Sequence, residues 1–157
     1  VVPETGTAFF DALLARLADA CRRSPREAAL QEICALLHDN IPHYNWVGFY
    51  LVDPPGSRWL VLGPFVGAPT EHTRIPFGRG VCGQAAEQRQ TVVVDDVSQE
   101  GNYLSCSVDV RSEIVLPLIK DGMIHGELDI DSHVPAAFTE SDRSFLDCVG
   151  SLASALF

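Results

Sequence analysis

The chain has 157 residues, with 11 basic against 21 acidic side chains and a formal charge of −10. That length suits one domain over residues 1–157, large enough to bury a core without staples. The acidic balance repels nucleic acid and anionic membrane surfaces and suits cationic or zwitterionic ligands. Five cysteines, Cys21, Cys34, Cys82, Cys106 and Cys148, form an odd set with no CxxC pair. They speak against a disulfide framework or a zinc ribbon and for a reducing cytoplasm. No apolar run approaches the roughly 20 residues of a membrane span, and no secretory leader is recognisable, so a soluble cytoplasmic protein is expected.

Residues 7–39 carry apolar side chains at helical spacing, first Phe9, Phe10, Leu13, Leu14 and Leu17, then Ala28, Leu30, Ile33, Cys34 and Leu37. Two helices are predicted. Their break falls at Arg23-Ser24-Pro25, where Ser24 can cap and Pro25 can occupy the first turn. Cys21 and Cys34 are expected in the core. Residues 46–52 are aromatic and β-branched, and Asp53-Pro54-Pro55-Gly56-Ser57 turns them into a second strand at residues 59–62. A glycine loop at residues 78–83 opens a short helix, followed by a strand at residues 91–94. Residues 98–112 form the longest irregular stretch, and a loop of that length in a compact domain is often functional. Strands at 114–119 and 124–130 flank Lys120-Asp121-Gly122-Met123, in which Asp-Gly favours a hairpin turn. Thr139-Glu140-Ser141-Asp142 caps a last helix running to residue 157, with Phe145, Leu146, Val149, Leu152 and Leu156 on its apolar stripe and Cys148 packed near it. Helices at both ends and a central antiparallel sheet make an α+β sandwich.

Three places could carry chemistry. In Gly126-Glu127-Leu128-Asp129-Ile130-Asp131 a strand would put Glu127, Asp129 and Asp131 on one face. Like charges so placed repel, so that face is either wet or lines a site with a cation or a metal. Glu113, at the mouth of the partner strand, could approach the same face. Cys106 differs from the other cysteines because mixed loop residues surround it; such a thiol is inert unless its surroundings favour the thiolate. Gly78-x-Gly80-x-x-Gly83 matches a dinucleotide fingerprint by letter, without the parallel βαβ context that fingerprint needs, so a tight turn is the default. Glu113, Asp129 and Asp131 could offer oxygens to magnesium or calcium, but the spacing is no EF-hand, and no closely spaced histidine or cysteine pair marks zinc. No metal or cofactor is expected, and the five histidines read as surface or packing residues.

Asn45-Trp46-Val47-Gly48-Phe49-Tyr50, Leu62-Gly63-Pro64-Phe65, Gly78-Arg79-Gly80-Val81-Cys82-Gly83, Ser112-Glu113-Ile114-Val115-Leu116-Pro117 and Leu128-Asp129-Ile130-Asp131-Ser132, in that order, resemble the GAF-domain free methionine-(R)-sulfoxide reductases over nearly the whole chain. The resemblance implies a GAF-like fold and reduction of free methionine (R)-sulfoxide, not of oxidised methionine within proteins. It implies a nucleophile at Cys106, pocket carboxylates at Glu113, Asp129 and Asp131, an aromatic wall at Trp46 and Tyr50, and recycling by thioredoxin or a similar dithiol. For Trp46 and Tyr50 simple core packing is the alternative. Many members of the family carry a further cysteine ten residues before that of GxGVCG, where this chain has His72. That leaves Cys82 as the expected resolving partner of Cys106, with direct reduction by an external thiol as the alternative. A rival of another class is a non-catalytic GAF sensor for a small ligand, and the terminal helices could pair two copies as a homodimer.

Overall fold

The computed structural model describes residues 5–101, 103 and 108–157. Helices α1 (Thr7–Arg23) and α2 (Arg26–Asn40) form where the apolar spacing predicts them. Phe10, Leu13 and Leu17 from the first and Leu30, Ile33, Cys34 and Leu37 from the second are buried. Phe9 and Ala28 fall outside the stripe and are exposed, and Cys21 is half-buried instead of lying in the core. The break differs from expectation. Ser24 closes α1 through its backbone N–H to the Ala20 carbonyl, and Pro25, already extended at ψ 159°, is the residue that precedes α2. The Ser24 hydroxyl is then one residue too far back to reach the first-turn N–H groups.

Among the described residues six strands follow: β1 (Trp46–Val52), β2 (Trp59–Val66), β3 (Arg74–Pro76), β4 (Val92–Val94), β5 (Ser112–Lys120) and β6 (Met123–Ser132). They form one sheet in the order β3-β2-β1-β6-β5-β4, each neighbour antiparallel. Strand β2 runs past the predicted residue 62, and β3 was not predicted, because three residues carry no readable period. The β5–β6 turn holds Asp121 and Gly122 at φ 53° and 76°, the left-handed pair that a primed hairpin turn needs. Helix α3 (Gly80–Gln88) lies between β3 and β4, and a 3-10 turn, Val97–Gln99, starts the long irregular stretch.

Helix α4 (Glu140–Ser154) begins with a full capping box: the Thr139 side chain accepts from the Asp142 N–H, and the Asp142 carboxylate accepts from the Thr139 N–H. It stops at Ser154, three residues short of the expected end, and Cys148 faces solvent. The stripe itself holds, with Phe145, Leu146 and Val149 buried.

The sheet separates two apolar clusters. Helices α2 and α4 lie on one face with α1 packed against both, in a cluster with Leu17, Ile33, Phe49, Leu128 and Ile130, and α3 packs on the other with Trp46, Tyr50, Leu60, Val81 and Val115. Each large apolar side chain removed from water contributes about 1.5–3 kcal/mol before entropy is counted. Among the described residues no helix is long and apolar enough to cross a membrane.

Candidate active site

Strand β6 is apolar on one face and acidic on the other. Leu128 and Ile130 enter the core under the helices, while alternation sends Glu127, Asp129 and Asp131 toward α3. Register brings neighbours to them: Glu127 faces Tyr50 and Pro117, Asp129 faces Gly48 and Val115, and Asp131 faces Trp46 and Glu113. Glu113 thus joins the aspartates, as its place at the mouth of the partner strand suggested. The wet-face alternative is overturned. Glu113 is 3% exposed, Glu127 0%, and Asp129 and Asp131 1% each, because α3 lies over them.

Helix α3 contributes Cys82. Its sulfur lies 3.3 Å from Asp129 Oδ2 and 4.0 Å from Glu113 Oε1. Neither oxygen of Glu127, nor Glu113 Oε2, nor Asp129 Oδ1, has a hydrogen-bond partner among the described residues. Buried carboxyls in that condition hold protons. Burial, then the charges of Asp129 and Asp131, push Glu113 well above the usual carboxylate range. Burial and the neighbouring Asp129 charge do the same to Glu127, with the Cys82 thiol holding it back. Burial also raises Asp129, while Glu113 and Cys82 act on it as donors and restrain the rise. Glu113 and Asp129 are therefore both held above the ordinary carboxylate range, by burial first.

The aromatic side chains are fixed by their polar ends. The Trp46 indole N–H donates to the Ala68 carbonyl at 3.0 Å, and the Tyr50 hydroxyl donates to the His72 carbonyl at 2.7 Å. Trp46 stacks on Phe65 at 5.5 Å and lies 6.4 Å from the Tyr50 ring. Its ring lies across Gly48, where an added Cβ would sit 2.4 Å from the indole. The glycine loop is a turn, as the missing βαβ context indicated. Gly78 and Gly80 have φ of 88° and 66°, and a Cβ on Gly83 would meet the Pro76 carbonyl at 2.7 Å. These glycines press α3 against the sheet and seat Cys82 on the acidic face.

Other motif residues hold the frame. Asn45 Oδ1 accepts from the His133 N–H at 2.8 Å, and the Ser112 hydroxyl donates to the Val134 carbonyl at 2.6 Å. Both pin the chain leaving β6. Trp46, Tyr50, Cys82, Glu113, Asp129 and Asp131 are all brought to the face beneath α3. Cys106 lies outside the described residues. Two residues of the site were not singled out from sequence: Glu127, noticed on the acidic face but given no role, and Arg79, which joins Tyr50, His72, Cys82 and Asp129 around a cleft of about 10 Å³. An arginine inside the glycine loop was the signal for the second. Cys82 Sγ and one oxygen each of Glu113 and Asp129 lie within 4.8 Å of one another, a donor set that could hold a cation.

A six-stranded antiparallel sheet with helices packed on both faces is the architecture of a GAF domain, and the GAF domain profile matches residues 25–156. The chain is 43% identical to the free methionine-R-sulfoxide reductase of Escherichia coli (strain K12) over 119 residues, which cover 76% of this chain and 70% of that protein. It is similar in structure to a free methionine-R-sulfoxide reductase from Neisseria meningitidis in complex with its substrate, with 39% identity, a TM-score of 0.89, and 98% and 92% of the two chains covered. The fRMsr of Staphylococcus aureus in complex with substrate matches at 36% identity and a TM-score of 0.87, over 99% and 98% of the chains. This chain belongs to the free methionine-R-sulfoxide reductase family of GAF-domain proteins.

Proposed function

We infer that this protein reduces free L-methionine (R)-S-oxide to L-methionine. The observation that carries this reading is the buried face of four carboxyls and one thiol, in a fold similar over 98% of the chain to a reductase holding its substrate. A free amino acid is a zwitterion. Its ammonium suits Asp129 and Asp131, its carboxylate suits backbone N–H groups of the 105–112 segment, and its methyl suits the Trp46 ring against Tyr50. The cleft beside Cys82 and Asp129, at about 10 Å³, holds little more than a water and would have to widen to admit the amino acid.

In the first step the Cys106 thiol gives its proton to the carboxyl cluster and its sulfur attacks the sulfoxide sulfur, forming an S–S bond, while Glu113, with Asp131 beside it, protonates the oxygen; the S–O and S–S bonds then break as the hydroxyl passes to the Cys106 sulfur and methionine leaves. The net exchange turns thiol and sulfoxide into a cysteine sulfenic acid and methionine. Cys82 then attacks the sulfenic sulfur, a Cys82–Cys106 disulfide forms, and water leaves. A thioredoxin-type dithiol returns both sulfurs to thiols. This cycle suits a reducing cytoplasm, and the terminal helices offer a surface through which two copies could pair.

Incubating the protein with dithiothreitol and each epimer of free methionine sulfoxide, then quantifying methionine, tests the reading. Methionine from the R epimer alone is expected, and none from that epimer would sink the activity. A Cys106→Ser variant that kept full activity would sink the nucleophile, and tryptic peptides of turned-over protein without a Cys82–Cys106 bridge would sink the resolving step.

A further inference from the structure

We propose that the reduced protein binds a thiophilic divalent cation, with zinc as the fitting ion, through Cys82 Sγ and one carboxylate oxygen each from Glu113 and Asp129. No closely spaced ligand pair marks this site along the chain, because its donors come from α3, β5 and β6 and meet only in the fold. Bond lengths near 2.3 Å to sulfur and 2.0 Å to oxygen set a sulfur-to-oxygen edge of about 3.5 Å in a tetrahedral zinc site. The two observed sulfur-to-oxygen distances, 3.3 and 4.0 Å, lie on either side of that edge.

Two further observations point to a cation. Glu113 Oε2 and Asp129 Oδ1, on the two ligand carboxyls, are buried without a hydrogen-bond partner among the described residues, and the proton held there without metal is what a cation would replace. Such lone pairs need a proton or a cation. A cleft of about 10 Å³ beside two of the three ligands, Cys82 and Asp129, and lined also by Arg79, has room for an ion or one water. Sulfur in the donor set and the small ligand number favour zinc over magnesium or calcium, which take six or more oxygens. Binding is a proton-for-metal exchange: the Cys82 thiol and any protonated carboxyl among the ligands release protons to solvent, and nothing is oxidised or reduced. Where the reductase reading holds, bound zinc occupies the thiol and the carboxyls that turnover uses and inhibits in competition with the sulfoxide; this consequence alone rests on that reading.

The test uses the full chain, reduced, freed of reductant and without sulfoxide. Equilibrium dialysis with zinc is expected to give about one ion per chain. Cobalt should give a thiolate-to-metal charge-transfer band and intense visible bands of tetrahedral geometry, both bleached by zinc. Cys82→Ser and Asp129→Asn, each checked for folding by circular dichroism, should weaken zinc binding by about tenfold or more, while Cys148→Ser, at an exposed thiol, should leave it unchanged. A cobalt complex of wild type without the thiolate band, or a folded Cys82→Ser protein that binds as tightly as the parent, overturns the proposal. So does a band that depends on Cys148, or one that is lost in Cys106→Ser and kept in Cys82→Ser. Zinc binding without methionine formation removes only the reductase reading, and methionine formation without zinc binding removes only this one.

Discussion

Glu127 sits deepest in the acidic face, against Tyr50 and Pro117, and its burial has a consequence for stability. The raised carboxyl keeps its proton in the folded protein where the unfolded chain has already released it. Folding then takes up a proton, so stability falls as pH rises from the ordinary glutamate value of about 4.3 toward the raised one. Glu127→Gln removes that dependence. It should make the protein more stable than the parent at neutral pH, with the advantage fading below about pH 4; urea midpoints across pH measure it, and an unchanged or reversed difference refutes it. Gly48 governs the other wall. Gly48→Ala drives a methyl into the Trp46 ring and to 2.8 Å from Phe65 Cβ, which should cost about 1–3 kcal/mol as overpacking. The indole moves in response, so KM for the sulfoxide should rise while the urea curve shifts to lower midpoint.

At the scale of elements, α4 is tied through one carboxylate to the segment that joins α2 to β1. Asp142 caps the helix at Thr139 and also accepts from the Tyr44 hydroxyl at 2.7 Å, with His43 Nε2 at 3.1 Å. Burial alone would raise this carboxyl, but the bonds from His43, Thr139 and Tyr44 together outweigh it and hold it below its ordinary range. Asp142→Ala removes a cap worth about 1 kcal/mol and strands two buried polar groups. A loss of about 2–4 kcal/mol is expected in urea unfolding. The carboxylate's contribution is fully present above the unfolded value near 3.9 and is lost as pH falls through the lowered one, so the penalty should shrink in strong acid. The capping box and the β5–β6 turn were readable from sequence because each is a local pattern of three or four residues. Strand β3 and the outward turn of Cys148 were not, since a three-residue strand has no period and a residue at the edge of a helical stripe is placed by its neighbours.

At the scale of the whole molecule, the sheet works as a partition, and β6 shows it within one strand. Leu128 belongs to the core beneath the helices, and its neighbours Glu127 and Asp129 belong to the site. Leu128→Ala should therefore cost about 2–5 kcal/mol of stability yet leave KM for the sulfoxide close to the parent value. A large change in KM at unchanged fold would show that the two sides are coupled.

The class of fold, the order of most elements, the common face of Glu127, Asp129 and Asp131, and the family are legible along the chain alone, because helical and strand periods and short motifs are written within a few residues. That this acidic face is buried, and that Cys82 stands 3.3 Å from Asp129, emerges only in the fold. The fold also shows that the turn expected at Gly78-x-Gly80-x-x-Gly83 presses a helix onto the sheet. Burial and proximity arise from elements 31 and 47 residues apart along the chain. A strand's own pattern says which side chains share a face, and the packing of a distant helix says whether that face meets water.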